Sequence, residues 1–301
     1  MIFDTHTHYD DAAFNKDREE VVEGLLKKNV GRICNIGSTM RGAEESVRLA
    51  EKYEHVYAAA GIHPDEVYDL YPGMKPEEIE EVFESIHDFT EYGHADGRDA
   101  LKEDPSDEAF ARLKELAANK KTVAIGEIGL DYHGFGEYKD KPGIAIQKYW
   151  FTKQLMLAIE LGKPAVIHSR NASEDTLEIM RKAYSMGLRS AVIHCYSYSK
   201  ETALNYIEMG YYLGIGGVLT YEGQKKLTKT VEAVPMERIL LETDCPYLTP
   251  VPIREKGKWS RNSSEYLPYV IRKIAGIKKT TPEEVERITW ENANRFYRIE
   301  C

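Results

Sequence analysis

Ile2-Phe3-Asp4-Thr5-His6-Thr7-His8 opens the chain as an apolar, β-rich run that ends on two histidines one residue apart. On an extended strand alternate side chains share a face, so His6 and His8 project together and two imidazoles can reach one ion. Four later stretches repeat the design. Val123-Ala124-Ile125-Gly126-Glu127, Ala165-Val166-Ile167-His168, Ala191-Val192-Ile193-His194 and Ile239-Leu240-Leu241-Glu242-Thr243-Asp244 each end an apolar run on a metal-ligand or acid residue. Several buried parallel strands whose C-terminal ends all carry His, Glu or Asp predict a (β/α)8 barrel, with a metal-centred active site at its top face.

Working outward, eight strand candidates follow in order, around 2–6, 31–36, 56–61, 122–127, 164–168, 190–194, 211–215 and 238–243. Between most of them lie amphipathic segments of helical length, one carrying Val21, Val22, Leu25 and Leu26 and another Ala43, Val47 and Ala50. This alternation implies parallel strands joined by crossover helices. The stretch from 64 to 121 breaks the even spacing. It holds Glu77-Glu78-Ile79-Glu80-Glu81-Val82-Phe83 and a polar run from Tyr92 to Asp99, which predicts an expanded third βα unit of two helices and a polar loop. His87 and His94 fall there, end no strand, and are expected at the surface. Thr281-Pro282-Glu283-Glu284 is a capping-box pattern, and the C-terminal helix it starts, through Val285, Ile288 and Phe296, is expected to close the barrel. No repeat or linker divides the chain, so residues 1–301 read as a single domain.

Composition bounds the function. The 301 residues exceed the ~100–200 usual for a domain but suit a barrel, typically of about 250. No run approaches the ~18 apolar residues of a membrane helix, and no basic segment precedes an apolar leader, so neither membrane nor export is expected. Cys34, Cys195, Cys245 and Cys301 form no C-x-x-C pair and are too sparse for a disulfide framework, which predicts a reducing, cytoplasmic setting. Cys195 and Cys245 follow His194 and Asp244, but strand alternation should point them away from those neighbours' faces. A net charge of −10 argues against a protein that coats nucleic acid through a broad basic surface. It leaves room for a nuclease, because metal ions can supply the positive charge a phosphate needs. One basic loop stands out beyond Asp244. Arg254, Lys256, Lys258 and Arg261, opposed by Glu255, surround Trp259, and Lys256, Lys258 and Trp259 suit phosphate contact and base stacking as well as a solvated loop.

The strand ends themselves carry the chemistry. Glu127 lies between Gly126 and Gly129, and a buried carboxylate is costly unless paired or metal-bound; its two oxygens can bridge two cations. Asp244 at a strand tip can hold metal and accept a proton from the attacking water as general base, while Glu242, one step deeper, suits an orienting role. Asp4 shares the parity of His6 and His8, where it could receive an imidazole N–H. His63, in Gly61-Ile62-His63-Pro64, follows the third strand and suits either substrate charge or a structural cap. His6, His8, His168, His194, Glu127 and Asp244 exceed the ligands of one tetrahedral ion, which predicts two divalent ions about 3.5–4 Å apart. Imidazole-rich ligation favours zinc or manganese, and an open site also admits magnesium.

With those residues in place, the chain resembles the TatD family of metal-dependent deoxyribonucleases, within the amidohydrolase-like barrels. The likeness runs almost end to end, through Asp4-Thr5-His6-Thr7-His8, Gly61-Ile62-His63-Pro64, Gly126-Glu127-Ile128-Gly129-Leu130-Asp131-Tyr132, Gly162-Lys163-Pro164-Ala165-Val166-Ile167-His168-Ser169-Arg170, His194-Cys195-Tyr196-Ser197, Leu241-Glu242-Thr243-Asp244-Cys245-Pro246-Tyr247-Leu248 and Glu291-Asn292-Ala293. The resemblance implies that His6, His8, Glu127 and Asp244 hold one metal, and that Glu127, His168 and His194 hold the second. It also implies Asp244 as the base and places His63, Arg170 and Glu242 near the substrate. Tyr198 stands where many members have Gly, Ile253 where many have His after Pro-Val-Pro, and Ser263-Ser264 where many have Glu-Pro; with the long 64–121 stretch, these departures are expected beside or above the mouth. The expected function is a two-metal phosphodiesterase, a 3′-to-5′ exonuclease on single-stranded DNA that acts as a monomer without an obligate protein partner. The alternative is an amidohydrolase-type enzyme acting on an amide, lactone or aminoacyl ester.

Overall fold

The computed structural model describes residues 1–84, 106–135, 142–255, 258 and 260–300. The polar run from Tyr92 to Asp99, His87, His94, Lys256, Trp259 and Cys301 lie outside them. Eight strands form one sheet in chain order: β1 (Ile2–Thr7), β2 (Val30–Ile36), β3 (Val56–Ala60), β4 (Thr122–Asp131), β5 (Ala165–Arg170), β6 (Ala191–Ile193), β7 (Tyr212–Ile215) and β8 (Ile239–Leu241). Every neighbouring pair is parallel. The expected strand positions hold to within two residues at each end, with β8 stopping at Leu241, except that β4 continues past Glu127 to Asp131. The seam between the last and first strands closes just beyond β8. There Asp244 N donates to His6 O at 2.9 Å, His8 N donates to Cys245 O at 2.8 Å, and Thr7 bridges to Cys245. Closure therefore brings His6 and His8 beside Asp244.

The helices are α1 (Arg18–Gly24), α2 (Met40–Lys52), α3 (Pro76–Glu84), α4 (Asp107–Ala118), α5 (Ile144–Glu160), α6 (Ser173–Ser185), α7 (Lys200–Glu208), α8 (Lys225–Ala233), α9 (Leu267–Lys278) and α10 (Pro282–Tyr297). The two helices expected in the enlarged third unit are α3 and α4. At the start of α10, Thr281 Oγ1 accepts from Glu284 N at 3.2 Å, while the Glu284 side chain pairs with Arg287 instead of returning the bond.

Strand alternation sorts side chains into two layers. Ala165, Ile167, Ala191, Ile193, Ile239 and Leu241 pack under the helices. Phe3, Ala59, Ala124, Val166, Val192, Tyr212 and Leu240 fill the barrel together with Ala293, Phe296 and Tyr297 of α10. The final helix thus plugs the barrel, anchored by Tyr297 Oη donating to Thr5 O at 2.7 Å. Emptying Phe296 to Ala should cost about 3–5 kcal/mol. His168, His194 and Glu242 continue the parity of Val166, Val192 and Leu240, so they project inward above this packed layer.

Candidate metal centre

Strict alternation would leave two key residues facing outward. Phe3 and Ala124 point inward, so His6 and Glu127 have the opposite parity. The register between β1 and β2 shifts between Asp4 and Thr7, and that between β4 and β5 shifts between Ile125 and Ile128. These irregularities turn His6 and Glu127 into the site. Asp4 does not follow. Its carboxylate accepts from Thr243 N at 3.0 Å, Thr243 Oγ1 at 2.6 Å and His6 N at 3.3 Å, so it fastens β1 to the Asp244 turn and receives no imidazole N–H.

Glu127 is the centre of the arrangement. Its Oε2 lies 3.4 Å from His6 Nε2 and 3.9 Å from His8 Nε2. Its Oε1 lies 2.8 Å from His168 Nδ1, 3.8 Å from His194 Nε2 and 4.0 Å from His63 Nε2. Asp244 Oδ1 completes the first side, 3.3 Å from His8 Nε2 and 3.7 Å from His6 Nε2, and also lies 3.8 Å from His194 Nε2. One carboxylate thus addresses two groups of imidazoles with separate oxygens. Among the described residues, His6-His8-Asp244, His6-His194-Glu242, His63-Glu127-His168 and His194-Cys195-Asp244 bring ligand atoms within 4.8 Å of one another.

The partners of each ring fix which nitrogen is available, with proton positions assigned from those contacts. His8 Nδ1 faces Ile36 O at 3.0 Å, which sets a proton there, so that Nε2 is the nitrogen that offers a lone pair once the ring is neutral. His194 Nδ1 lies 3.2 Å from Glu242 Oε2, at ion-pair range though off the line of a hydrogen bond, and its Nε2 faces inward. Glu242 Oε1 accepts from Cys195 N at 2.6 Å. Its carboxylate occupies the space a Cβ at Gly214 would take, 2.1 Å from Oε2. Glu242 is therefore a buried positioning residue beneath His194. His6 stacks on His194 with ring centres 3.5 Å apart, and its Nδ1 is buried without a hydrogen-bond partner.

His63 differs from the other rings. Its Nδ1 accepts from Asp65 N at 3.1 Å, so the neutral ring carries its proton on Nε2. Burial, reinforced by His168, pushes its pKa down to about 3. It presents an N–H rather than a lone pair to the site, which suits a substrate oxygen better than an ion. Gln154 of α5 holds this segment in place, receiving Ile62 N at 2.7 Å and donating to Ile62 O at 3.1 Å.

Asp131 is the residue that alternation did not reveal. Its Oδ2 lies 3.1 Å from His168 Nε2, and its Oδ1 accepts from His133 N at 2.8 Å. Gln147, on the same helix as Gln154, clamps its backbone through Asp131 N at 2.8 Å and Asp131 O at 3.0 Å. This carboxylate orients His168 so that Nδ1 points at Glu127. Cys195 also departs from expectation. The strand has ended and Cys195 turns at φ 44°, so its thiol joins the cluster beside His194 and Asp244. Asp244 turns likewise at φ 57°.

Charge balances through mutual support. Burial opposes ionisation of Glu127, but His194, His6 and His168 hold it well below the usual carboxylate range. Asp244 is likewise lowered against burial, by His8, His194 and His6. Against the same burial, His8 is raised to about 9 by Asp244, His168 to about 9 by Asp131 and Glu127, and His194 to about 9 by Glu242 and Glu127. His6 is lowered by burial and by His194. The converging Nε2 atoms of His6, His8 and His194 and the two-sided Glu127 carboxylate fit divalent cations in place of these protons.

The expected substrate contacts are dispersed. Arg170 is exposed at the end of β5. Lys258 is exposed and pairs with Glu255 at 2.8 Å. Arg261 is committed to Asp17 through two bonds of 2.7 and 2.6 Å and covers Phe14. Ser263 and Ser264 are buried beside the turn that follows His8. Ser264 Oγ lies 2.9 Å from Tyr9 Oη, so this departure packs against the chain just past the end of β1.

A sequence model of TatD-related DNases matches residues 3–298. The chain is 36% identical over 299 residues to the uncharacterized metal-dependent hydrolase YabD of Bacillus subtilis, covering 99% of this chain and 100% of that protein. It is 29% identical to a protein of Cronobacter sakazakii named 3′-5′ ssDNA/RNA exonuclease TatD, over 98% of this chain and 97% of the relative. Among solved structures, YJJV, a TatD homolog of Escherichia coli K12, superposes with a TM-score of 0.74 at 24% identity, covering 99% of this chain and 98% of its own.

Proposed function

This chain belongs to the TatD-related DNase family of metal-dependent hydrolases, and from that membership we propose that it is a two-metal phosphodiesterase that shortens single-stranded DNA from its 3′ end. The observation that carries the reading is Glu127, whose Oε2 faces His6 and His8 while Oε1 faces His168 and His194. His6, His8, Glu127 and Asp244 would hold one ion, and Glu127, His168 and His194 the other. Zinc or manganese suits these donors, and magnesium is admitted where water completes the shell. Ions held there would lower the pKa of water and offset charge on the phosphate oxygens.

The chain's own groups do the rest. Asp244, kept ionised by His8, His194 and His6, accepts the proton of the attacking water. His63 donates its Nε2–H to a nonbridging phosphate oxygen. Glu242 and Asp131 hold His194 and His168 in orientation, and exposed Arg170 meets the strand at the rim. The name of the Cronobacter relative supports the polarity and the single-stranded substrate. Cys34, Cys195 and Cys245 are free thiols, which supports a cytoplasmic setting. Among the described residues, no helix is long and apolar enough to cross a membrane.

The test uses single-stranded DNA labelled at either end, with chelator-stripped protein to which zinc, manganese or magnesium is returned. Metal-restored shortening from the 3′ end is expected. Intact DNA in the presence of protein that retains two ions would move the assignment to a carbonyl substrate.

A further inference from the structure

Three surface hollows differ sharply in charge balance. One of about 500 Å³ between α1 and α2 is lined by Lys16, Arg18, Arg48 and Lys52 together with Asp17, Glu19 and Glu20. Its cations are largely committed: Lys52 pairs with Glu19, and Arg48 pairs with Glu45. A second, of about 410 Å³ on the C-terminal helix, mixes Arg295 and Arg298 with Glu291 and Glu300. The third, of about 640 Å³, lies between α8 and α9 and is lined by Lys225, Lys229 and Lys273, with Glu222 as its one acid. Among the described residues, none of these three lysines has a carboxylate within ion-pair distance. All three are exposed.

This third groove adjoins the catalytic mouth. The loop that begins at Asp244 reaches it at Val251, whose backbone N donates to Thr220 Oγ1 at 2.8 Å. Tyr221, which lines the groove, donates to Thr249 O at 3.1 Å and carries Arg254 over its ring at 4.2 Å. A fourth cation is thereby held at the junction between groove and mouth. In a chain of net charge −10, an unbalanced basic hollow continuous with the loop of the catalytic acid selects for an extended polyanion. Lysines spread over two helices match successive phosphates, and Arg254, held over Tyr221, adds a guanidinium beside them.

We infer that the α8–α9 groove binds the sugar–phosphate backbone of the substrate strand on the side away from the bond being cut, through Lys225, Lys229 and Lys273. This inference rests on the nuclease reading and adds a length-dependent contact to it. Bond cleavage itself stays at the metal centre, so a short substrate never reaches the groove.

The test compares wild type with the Lys225→Gln/Lys229→Gln/Lys273→Gln variant on an oligonucleotide of about 12 nucleotides and on a dinucleotide. Binding of the longer strand is followed by fluorescence anisotropy in chelator over a range of salt, and cleavage with metal restored. The variant is expected to reduce the slope of log affinity against log salt by about 2, at ~0.7 per lost phosphate contact. KM for the longer strand should rise with kcat unchanged, while dinucleotide hydrolysis stays at the wild-type rate. Single Lys229→Gln and Lys273→Gln variants should each remove about a third of the slope change, and Lys16→Gln in the balanced hollow should remove none. A wild-type slope in the triple variant, with wild type still cleaving the strand, would overturn the groove and leave the nuclease reading intact. A wild-type protein that neither binds nor cuts the strand would overturn both.

Discussion

Glu127→Ala perturbs both halves of the centre at once. Removing Oε2 takes a ligand from the His6–His8–Asp244 side, and removing Oε1 takes one from the His168–His194 side. Losing a residue that merely orients a ligand costs about 10–100-fold in metal affinity, so losing a direct ligand should cost each ion at least about a hundredfold, ~2.7 kcal/mol. The metal-free protein should suffer as well. His168 Nδ1 loses its 2.8 Å partner, and three raised imidazoles lose a common counter-charge. Breaking a buried pair from one side destabilises by roughly 3–5 kcal/mol, with the lower end expected here because His168 is partly open. The assay is metal content by mass spectrometry after gel filtration, affinity by competition with a fluorescent chelator, and thermal unfolding in chelator. Glu127→Asp separates charge from reach: it should recover apo stability more fully than metal stoichiometry. Two ions retained by Glu127→Ala at wild-type affinity would refute the bridging role.

Other consequences are more selective. Asp244→Asn should lower kcat at saturating metal by about 10²–10⁴-fold with KM little changed, and near-normal kcat would reject Asp244 as the base. Asp131→Asn should weaken one of the two ions by about 10–100-fold and spare the other, as read by stepwise metal titration; equal loss of both would mean that Asp131 acts on the fold rather than through His168. In metal-free protein, the elevated His8, His168 and His194 contribute stability that is fully present below their unfolded pKa of about 6.5 and lost as pH rises through about 9. The depressed Glu127 and Asp244 contribute stability present above about pH 4 and lost on acidification. Stripped protein should therefore melt at lower temperature at pH 9 than at pH 6.5, a loss that bound zinc offsets; a melting temperature that rises over this interval would contradict the charge assignment.

The inward projection of His168, His194 and Glu242 was legible because each continues the parity of a valine or leucine in a regular strand. The shared face of His6 and His8 was legible for the same reason, but their inward aim was not, since it depends on register shifts that no local pattern reveals. Those shifts also separate Asp4 from the imidazoles. Asp131 escaped notice because Gly126 and Gly129 interrupt the apolar alternation while β4 continues. Gly129 adopts φ 151° and passes so close to His168 O that a Cβ would lie 1.9 Å from it. Arg261 looked available for phosphate beside Lys258, yet its partner Asp17 lies at the other end of the chain. The basic groove was hidden for a related reason: Lys225 and Lys273 approach one another only through packing of α8 on α9.

The most direct test is anomalous X-ray diffraction from crystals of the wild-type protein grown with manganese or zinc. The account requires two peaks about 3.5–4 Å apart, with Glu127 Oε2 and Oε1 on separate ions, His168 bound through Nδ1, and His63 outside both shells. A single peak, or a second ion held by His63 in place of His194, would contradict it.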